Sequence, residues 1–273
     1  MSSNSILPMI VEPKEFHQWQ QDNASSSVLI IDLSSEGNYV NGHVNGAIYL
    51  PFKTLLMPVP PAAAKLPTIE HLEMVFSALG LTPDTHVVTY DDEGGGWAGR
   101  LIWTLDAIGH HKYSYINGGL HAWLADGLPL QTDINRPTPS QYKIDAITDA
   151  RATVEFITAH LNQDNFQVWD ARSPREFSGE DARSARAGHM PGAINAEWTD
   201  LMDKENGLRI RSDAKEYLAN LGINENQTIV THCQSHHRSA FTYLVGKSLG
   251  FDIRAYDGSW SEWGNLENTP IES

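Results

Sequence analysis

The residues best equipped for chemistry stand together in Cys233-Gln234-Ser235-His236-His237-Arg238, and Cys233 is the one cysteine of a 273-residue chain. A short apolar run at 229–232 leads into it and reads as a buried strand; 239–249 reads as a helix that ends near Gly250. A strand that hands over to a helix through six residues turns several backbone N–H groups inward. With the positive end of the helix dipole, these favour a negative charge at the loop's centre. The thiolate, not the thiol, is the nucleophile, and His236, His237 and Arg238 beside a helix start predict a depressed pKa for Cys233. The matching expectation is an alkylation rate that does not rise between about pH 6 and about pH 9. Two other uses stay open on the residues alone. A lone cysteine can be an inert, buried, small hydrophobe, with His236 and His237 merely solvated. Alternatively His232, His236 and His237 form a metal cluster, although one thiol and crowded imidazoles match no familiar ligand spacing, and no metal is expected.

What must position this loop is written twice in the chain. The run Val28-Leu-Ile-Ile-Asp-Leu returns as Gln167-Val-Trp-Asp-Ala-Arg, each ending near an acid, Asp32 and Asp170. Gly42-His-Val-Asn-Gly-Ala returns as Gly188-His-Met-Pro-Gly-Ala after an insertion of eight residues. Leu79-Gly-Leu and the run that follows return 142 positions later from Leu221, and Asn117-Gly-Gly-Leu-His-Ala-Trp pairs with Asp257-Gly-Ser-Trp-Ser-Glu-Trp. Each half reads as short apolar strands (28–32, 87–90; 167–170, 229–232) alternating with helices such as 69–79 and 213–221. That alternation predicts an α/β fold: two similar domains, each a mostly parallel sheet with helices on both faces. The expected division is 1–135, a linker at 136–150 placed by Pro137 and Pro139, and 151–273. Residues 58–67, with four prolines and three alanines, read as an irregular surface excursion of the first domain. The copies differ in chemistry at one place: Asp91 stands where Cys233 stands. In an open α/β sheet that place is the crevice beyond the carboxyl ends of the strands.

Composition narrows the function. Nineteen Lys and Arg against thirty-four Asp and Glu give a net charge of −15, which argues against nucleic acid or acidic lipid as partners. One cysteine allows no internal disulfide and no Cys-pair zinc site, and fits a reducing compartment. Apolar runs fall short of a membrane span, and Met1 to Phe16 lacks a secretory pattern, so the expected location is the cytoplasm, away from membranes.

From Val28 to Trp263 the chain resembles the tandem-domain rhodanese (sulfurtransferase) family, the bacterial thiosulfate sulfurtransferases in particular. Tyr39-Val-Asn-Gly-His-Val-Asn-Gly-Ala is similar to the family's amino-terminal signature, with Asn45 where proline is usual, and His189-Met-Pro-Gly-Ala matches it. Tyr256-Asp-Gly-Ser-Trp-Ser-Glu-Trp is similar to the carboxy-terminal signature, and the Cys233–Arg238 loop has the family's active length. The resemblance implies that the first domain is silent, with Asp91 in place of the nucleophile, and that the active cleft lies between the domains. It implies ping-pong transfer of a sulfane sulfur from a small anionic donor, thiosulfate or a relative, through a persulfide on Cys233. The acceptor is then cyanide, a thiol or a protein. No external cofactor is implied, since the sulfur rides covalently on Cys233. Loop N–H groups would hold the persulfide, Arg238 the loop or the donor, and His236 and His237 would add positive potential. Gln234 and Ser235 replace the basic pair of the mitochondrial type, and Glu176, beside Arg175, takes the place of its donor-binding arginine. Arg172, Arg183 and Arg186 are the candidates to compensate, with Trp198 and Asp91 as further possible cleft residues. Arg100 either faces the cleft or, by the more ordinary reading, forms a salt bridge on a helix surface. Trp97, Trp103, Trp123, Trp260 and Trp263 read as core or cleft wall.

Three alternatives stand beside this reading. A mercaptopyruvate-type sulfurtransferase would carry a glycine-rich loop without histidines, and a protein-to-protein persulfide relay would turn over small donors slowly. A cysteine phosphatase needs five residues between cysteine and arginine, where this loop has four, too narrow a cradle for a tetrahedral phosphate.

Overall fold

The computed structural model describes residues 7–23, 28–161 and 163–273. Residues 1–6 and 24–27, part of the span read as the first domain, and residue 162 lie outside the described residues, as do the opening residues of the stretch read as lacking a secretory pattern. β-branched runs too short for helices pair edge to edge in parallel. In the first half the strand order across the sheet is Ile10–Val11, Tyr113–Ile116, His86–Tyr90, Val28–Asp32, Ile48–Tyr49. In the second half it is Arg151–Ala152, Asp252–Tyr256, Thr228–His232, Phe166–Asp170, Ile194–Asn195, the same order from equivalent pieces of sequence. Every ladder in both sheets is parallel. Three strands begin one residue earlier than read from apolarity. His86, Phe166 and Thr228 pair in the ladders as Val28↔His86 and Thr228↔Phe166, because pairing uses the backbone of any residue.

Helices cover both faces, as expected for a parallel sheet. One face of each sheet has its own cluster, around Phe16, Val88, Tyr90 and Trp123 in the first half and Val230, Tyr256, Trp260 and Trp263 in the second. The other two faces share a single cluster that runs through Leu101, Trp103, Phe241 and Leu244, so the core is continuous across the seam. At its centre the helices Gly96–Ala107 and Arg238–Ser248, each directly after a loop of interest, pack on one another. A Cβ at Gly99 would stand 2.5 Å from the Ala240 carbonyl oxygen, so the close approach depends on that missing atom.

The proline-rich 58–67 stretch is not an irregular excursion. Met57–Val59 and Ala62–Lys65 pair as an antiparallel hairpin, and its second strand is clamped on the second half. Ala63 N–H donates to Ser261 Oγ (3.2 Å), Lys65 Nζ meets Glu262 (2.6 Å), and Leu66 N–H donates to Asp257 (2.7 Å). Composition could not show this, because the partners lie almost two hundred residues away. From 132 to 150 the chain has no helix or strand and runs along the first half, with Ser140 and Tyr142 bonded to Ser77 and Ile144 to Glu73. Among the described residues no helix is long and apolar enough to cross a membrane.

Candidate active site

The strand Thr228–His232 delivers Cys233 at its carboxyl end, and the helix that begins at Arg238 closes the loop behind it. The sulfur is buried but not in hydrocarbon. Backbone N–H groups of Ser235 and Ser239 point at it, the Ser239 hydroxyl donates to Sγ at 3.4 Å, and the Arg238 guanidinium faces it as a further donor. Burial pushes the thiol up; Arg238, Ser239 and the N–H groups outweigh it and bring Cys233 down to about 7. The direction is that expected from the loop residues, but a group at about 7 titrates between about pH 6 and about pH 9, so the alkylation rate should rise across that window and not stay flat. The cup is braced from outside by the short helix Ser259–Trp263, whose Trp260 and Ser261 N–H groups donate to the Cys233 and Gln234 carbonyls.

Each loop side chain has a distinct setting. Gln234 and Ser235 are half-buried, and the Gln234 amide reaches the Arg183 carbonyl and Ser184 Oγ, both at 3.3 Å. Arg238 forms a two-pronged ion pair with Glu176 at 2.6 and 2.8 Å. Glu176 is almost wholly buried; burial would raise its carboxyl, but Arg238 and Ser173 hold it down at about 2. Glu176 is thus the counter-ion of the loop arginine, in the place where the resemblance put a donor-binding cation.

His236 does not supply positive potential. It is fully buried, and burial first, then Arg100 and His237, push it well below the usual imidazole range, so it is neutral at pH 7. Its backbone sits at φ 56, its Nδ1 is bonded to Ser239 Oγ (2.8 Å), and its ring meets Trp103 edge to face at 4.4 Å. His237 is half-buried in a box made largely by the first half: Trp97 at 4.1 Å, Trp198 at 5.5 Å, and an ion-pair contact from its Nε2 to Glu93. Trp198 therefore stands beside the loop, against His237.

Other candidates move away from it. Arg172 is buried against Asp170 (2.6 Å), bonds the Gly188 carbonyl (2.8 Å) and lies 4.4 Å over Trp260, so no free charge faces a cleft. Arg186 is consumed by the carboxy-terminal tail, donating to the Thr269, Trp263 and Leu266 carbonyls. Asp91 is not a cleft residue: it fills its own loop's cup, accepting from the N–H groups of Glu93 (3.2 Å), Gly95 (2.8 Å) and Ala98 (2.9 Å). Burial, with Glu93 nearby, raises it to about 6. Arg100 makes no surface salt bridge: it is fully buried at the seam and donates to the carbonyls of Leu55, Ala64, Lys65 and His236.

Ser239 and Glu93 were missed as contributors, and Arg100 was placed at the cleft only as the less ordinary of two readings. Ser239 is one residue beyond the loop, a visible signal; the other two come from the first half, and only the Gly94–Gly96 triplet beside Glu93 marks a place of close approach. A Cβ at Gly96 would stand 2.5 Å from His237 Nε2. Among the described residues no group of three or more His, Cys, Asp or Glu side chains is placed to hold a metal ion.

A family model described as a rhodanese-like domain matches residues 12–126 and again 153–266. A thiosulfate sulfurtransferase of Pseudomonas aeruginosa is 45% identical over 273 residues, covering the whole of both chains. One of Azotobacter vinelandii is 42% identical, again over the whole of both. Among solved structures, that of YnjE superposes with a TM-score of 0.85 at 20% identity, over 97% of this chain and 68% of the other, a likeness of fold.

Proposed function

The chain belongs to the rhodanese family, and we propose that it is a thiosulfate sulfurtransferase with Cys233 as its nucleophile. The observation that carries this is the sulfur's seat: a thiol brought to about 7, ringed by N–H groups, a hydroxyl and a guanidinium, at the amino end of a helix. Cys233 Sγ attacks the outer sulfur of thiosulfate; the S–S bond of the donor breaks and sulfite leaves with the bonding pair. One negative charge stays behind, on the terminal sulfur of the persulfide, where the same cup of donors receives it. Cyanide, or a thiol in the cell, then takes that sulfur and Sγ recovers the electron pair. The cycle as written needs no external cofactor.

In this reading 1–135 is the silent domain, 136–150 the linker and 151–273 the catalytic domain. Arg238 and the half-exposed Arg183, whose guanidinium is 3.6 Å from Glu176, meet the anionic donor in place of Arg172 and Arg186. The lone thiol suits a reducing compartment such as the cytoplasm, and a net charge of −15 favours neither nucleic acid nor an anionic membrane as partner. Intact-mass measurement tests the proposal: thiosulfate should add one sulfur, cyanide should remove it as thiocyanate, and Cys233→Ala should do neither. A chain that gains no sulfur from thiosulfate, or gains it without Cys233, refutes it.

A further inference from the structure

Behind the nucleophile the hydroxyl of the cup is the first link of a hydrogen-bond chain whose further links the reaction as written does not use. Ser239 Oγ lies 3.4 Å from Cys233 Sγ and 2.8 Å from His236 Nδ1. All three residues are buried, and His236 Nε2 has no hydrogen-bond partner among the described residues. The outer end is fixed from the first half, where Arg100 Nη1 donates to the His236 carbonyl at 3.3 Å.

The direction of this chain follows from counting protons. A thiolate has none, so the one hydroxyl proton of Ser239 must point at Sγ. The oxygen can then only accept from His236, which must carry its single ring proton on Nδ1, with Nε2 bare. Nε2 is the atom the structure leaves without a partner. We propose that Ser239 is a catalytic residue, a hydroxyl donor that stabilises the Cys233 thiolate, and that neutral His236 is the positioning residue that aims it. This rests on Cys233 being the nucleophile. The same hydroxyl serves twice, holding the thiolate before it attacks the donor and receiving the charge that returns to Sγ when the acceptor removes the outer sulfur.

The other groups facing the pair are Arg238 with Glu176 behind it, His232 and His237 on the same strand and loop, and Arg100 with Asp257 and Arg151 behind it. None is altered by the variants that test the chain. With one cysteine in the protein, the ultraviolet absorption of the thiolate, referenced to Cys233→Ala, titrates Sγ directly. Ser239→Ala should move the half-point upward by about one pH unit, since a hydrogen bond to a charged group is lost. Thiocyanate formation at about pH 6 should fall roughly tenfold with it. His236→Ala should follow Ser239→Ala. His236→Asn should titrate as the parent protein does, because an asparagine amide places an N–H near Nδ1 and tolerates a φ of 56. A half-point unmoved in Ser239→Ala overturns the proposal, and so does a shift in His236→Asn as large as in His236→Ala. A parent protein that shows the titration and its Ser239 dependence but never gains sulfur would sink the sulfurtransferase reading and leave this hydrogen-bond chain standing.

Discussion

Arg238 serves two anions, the Glu176 carboxylate and the Cys233 sulfur, and the balance between them sets how nucleophilic the site is. Arg238→Gln should raise the half-point of sulfur loading by more than about one pH unit, toward that of a free thiol. It should also cost about 3 kcal/mol of stability, because it takes the two-pronged partner from buried Glu176 and leaves it only Ser173 and the more distant Arg183. In the double variant with Glu176→Gln the stability should largely return and the loading should not. Denaturant midpoints read with loading profiles separate the two, and a double variant that regains both would show that Arg238 acts only as a structural strut. How much of this was legible is uneven. Cys233 and its loop were readable because the residues are contiguous. Glu176 as counter-ion was not, because 62 positions separate it from Arg238. Arg172 and Arg186 were misjudged because an arginine's free charge depends on which carbonyls and carboxylates the fold brings to it, and sequence shows only that the charge exists.

The two helix starts are the element that joins the halves. Gly99 has no room for a side chain, since the obstacle at 2.5 Å is the backbone carbonyl of Ala240, the third residue of the helix that bears the active loop. Gly99→Val should therefore push the helices apart, lower stability by about 1–3 kcal/mol and slow loading. Gly37→Ala, where nothing lies within 4 Å, should change stability by less than about 1 kcal/mol and leave loading alone. Equal thermal shifts and unchanged activity in both would refute the account. Alternating apolar runs and turns foretold strands and helices to within a residue or two. They did not foretell that the Ala62–Lys65 strand lies against the second half, because its side chains give no sign of which surface they will meet.

At the scale of the molecule, repetition in the sequence announced two sheets but not one shared core. The cluster through Trp103 and Phe241 belongs to both halves. The ion pairs of Arg209 with Glu12 (2.7 Å) and Asp126 (2.8 Å) fasten the second half to the first again. Calorimetry should show a single unfolding transition, and two separated ones would mean the halves are independent. Its dependence on pH follows from histidine. Burial holds His86, His110, His232 and His236 below the usual imidazole range, so the unfolded chain binds protons that the folded one refuses, and stability is lost as pH falls below about 6.5. The acids Asp32, Asp91 and Glu197 are shifted upward and oppose this, while Asp170 and Glu176, held down by their arginine partners, act with the histidines. The melting temperature should fall from pH 7 to about pH 5, less steeply in His236→Asn; a rise over that range would show the raised carboxyls in control.

The paired cups carry a last consequence for the catalytic cycle. Asp91 lodges a fixed carboxylate in one seat while Cys233 occupies the other, and their helices meet at Gly99. Above about pH 7, where Cys233 is ionised, thiolate and persulfide each bear a single negative charge, so taking on a sulfur atom changes the mass at the seam but not its electrostatics. Neither half then has cause to swing when cargo arrives or departs, and the empty and laden forms can share one rigid shape.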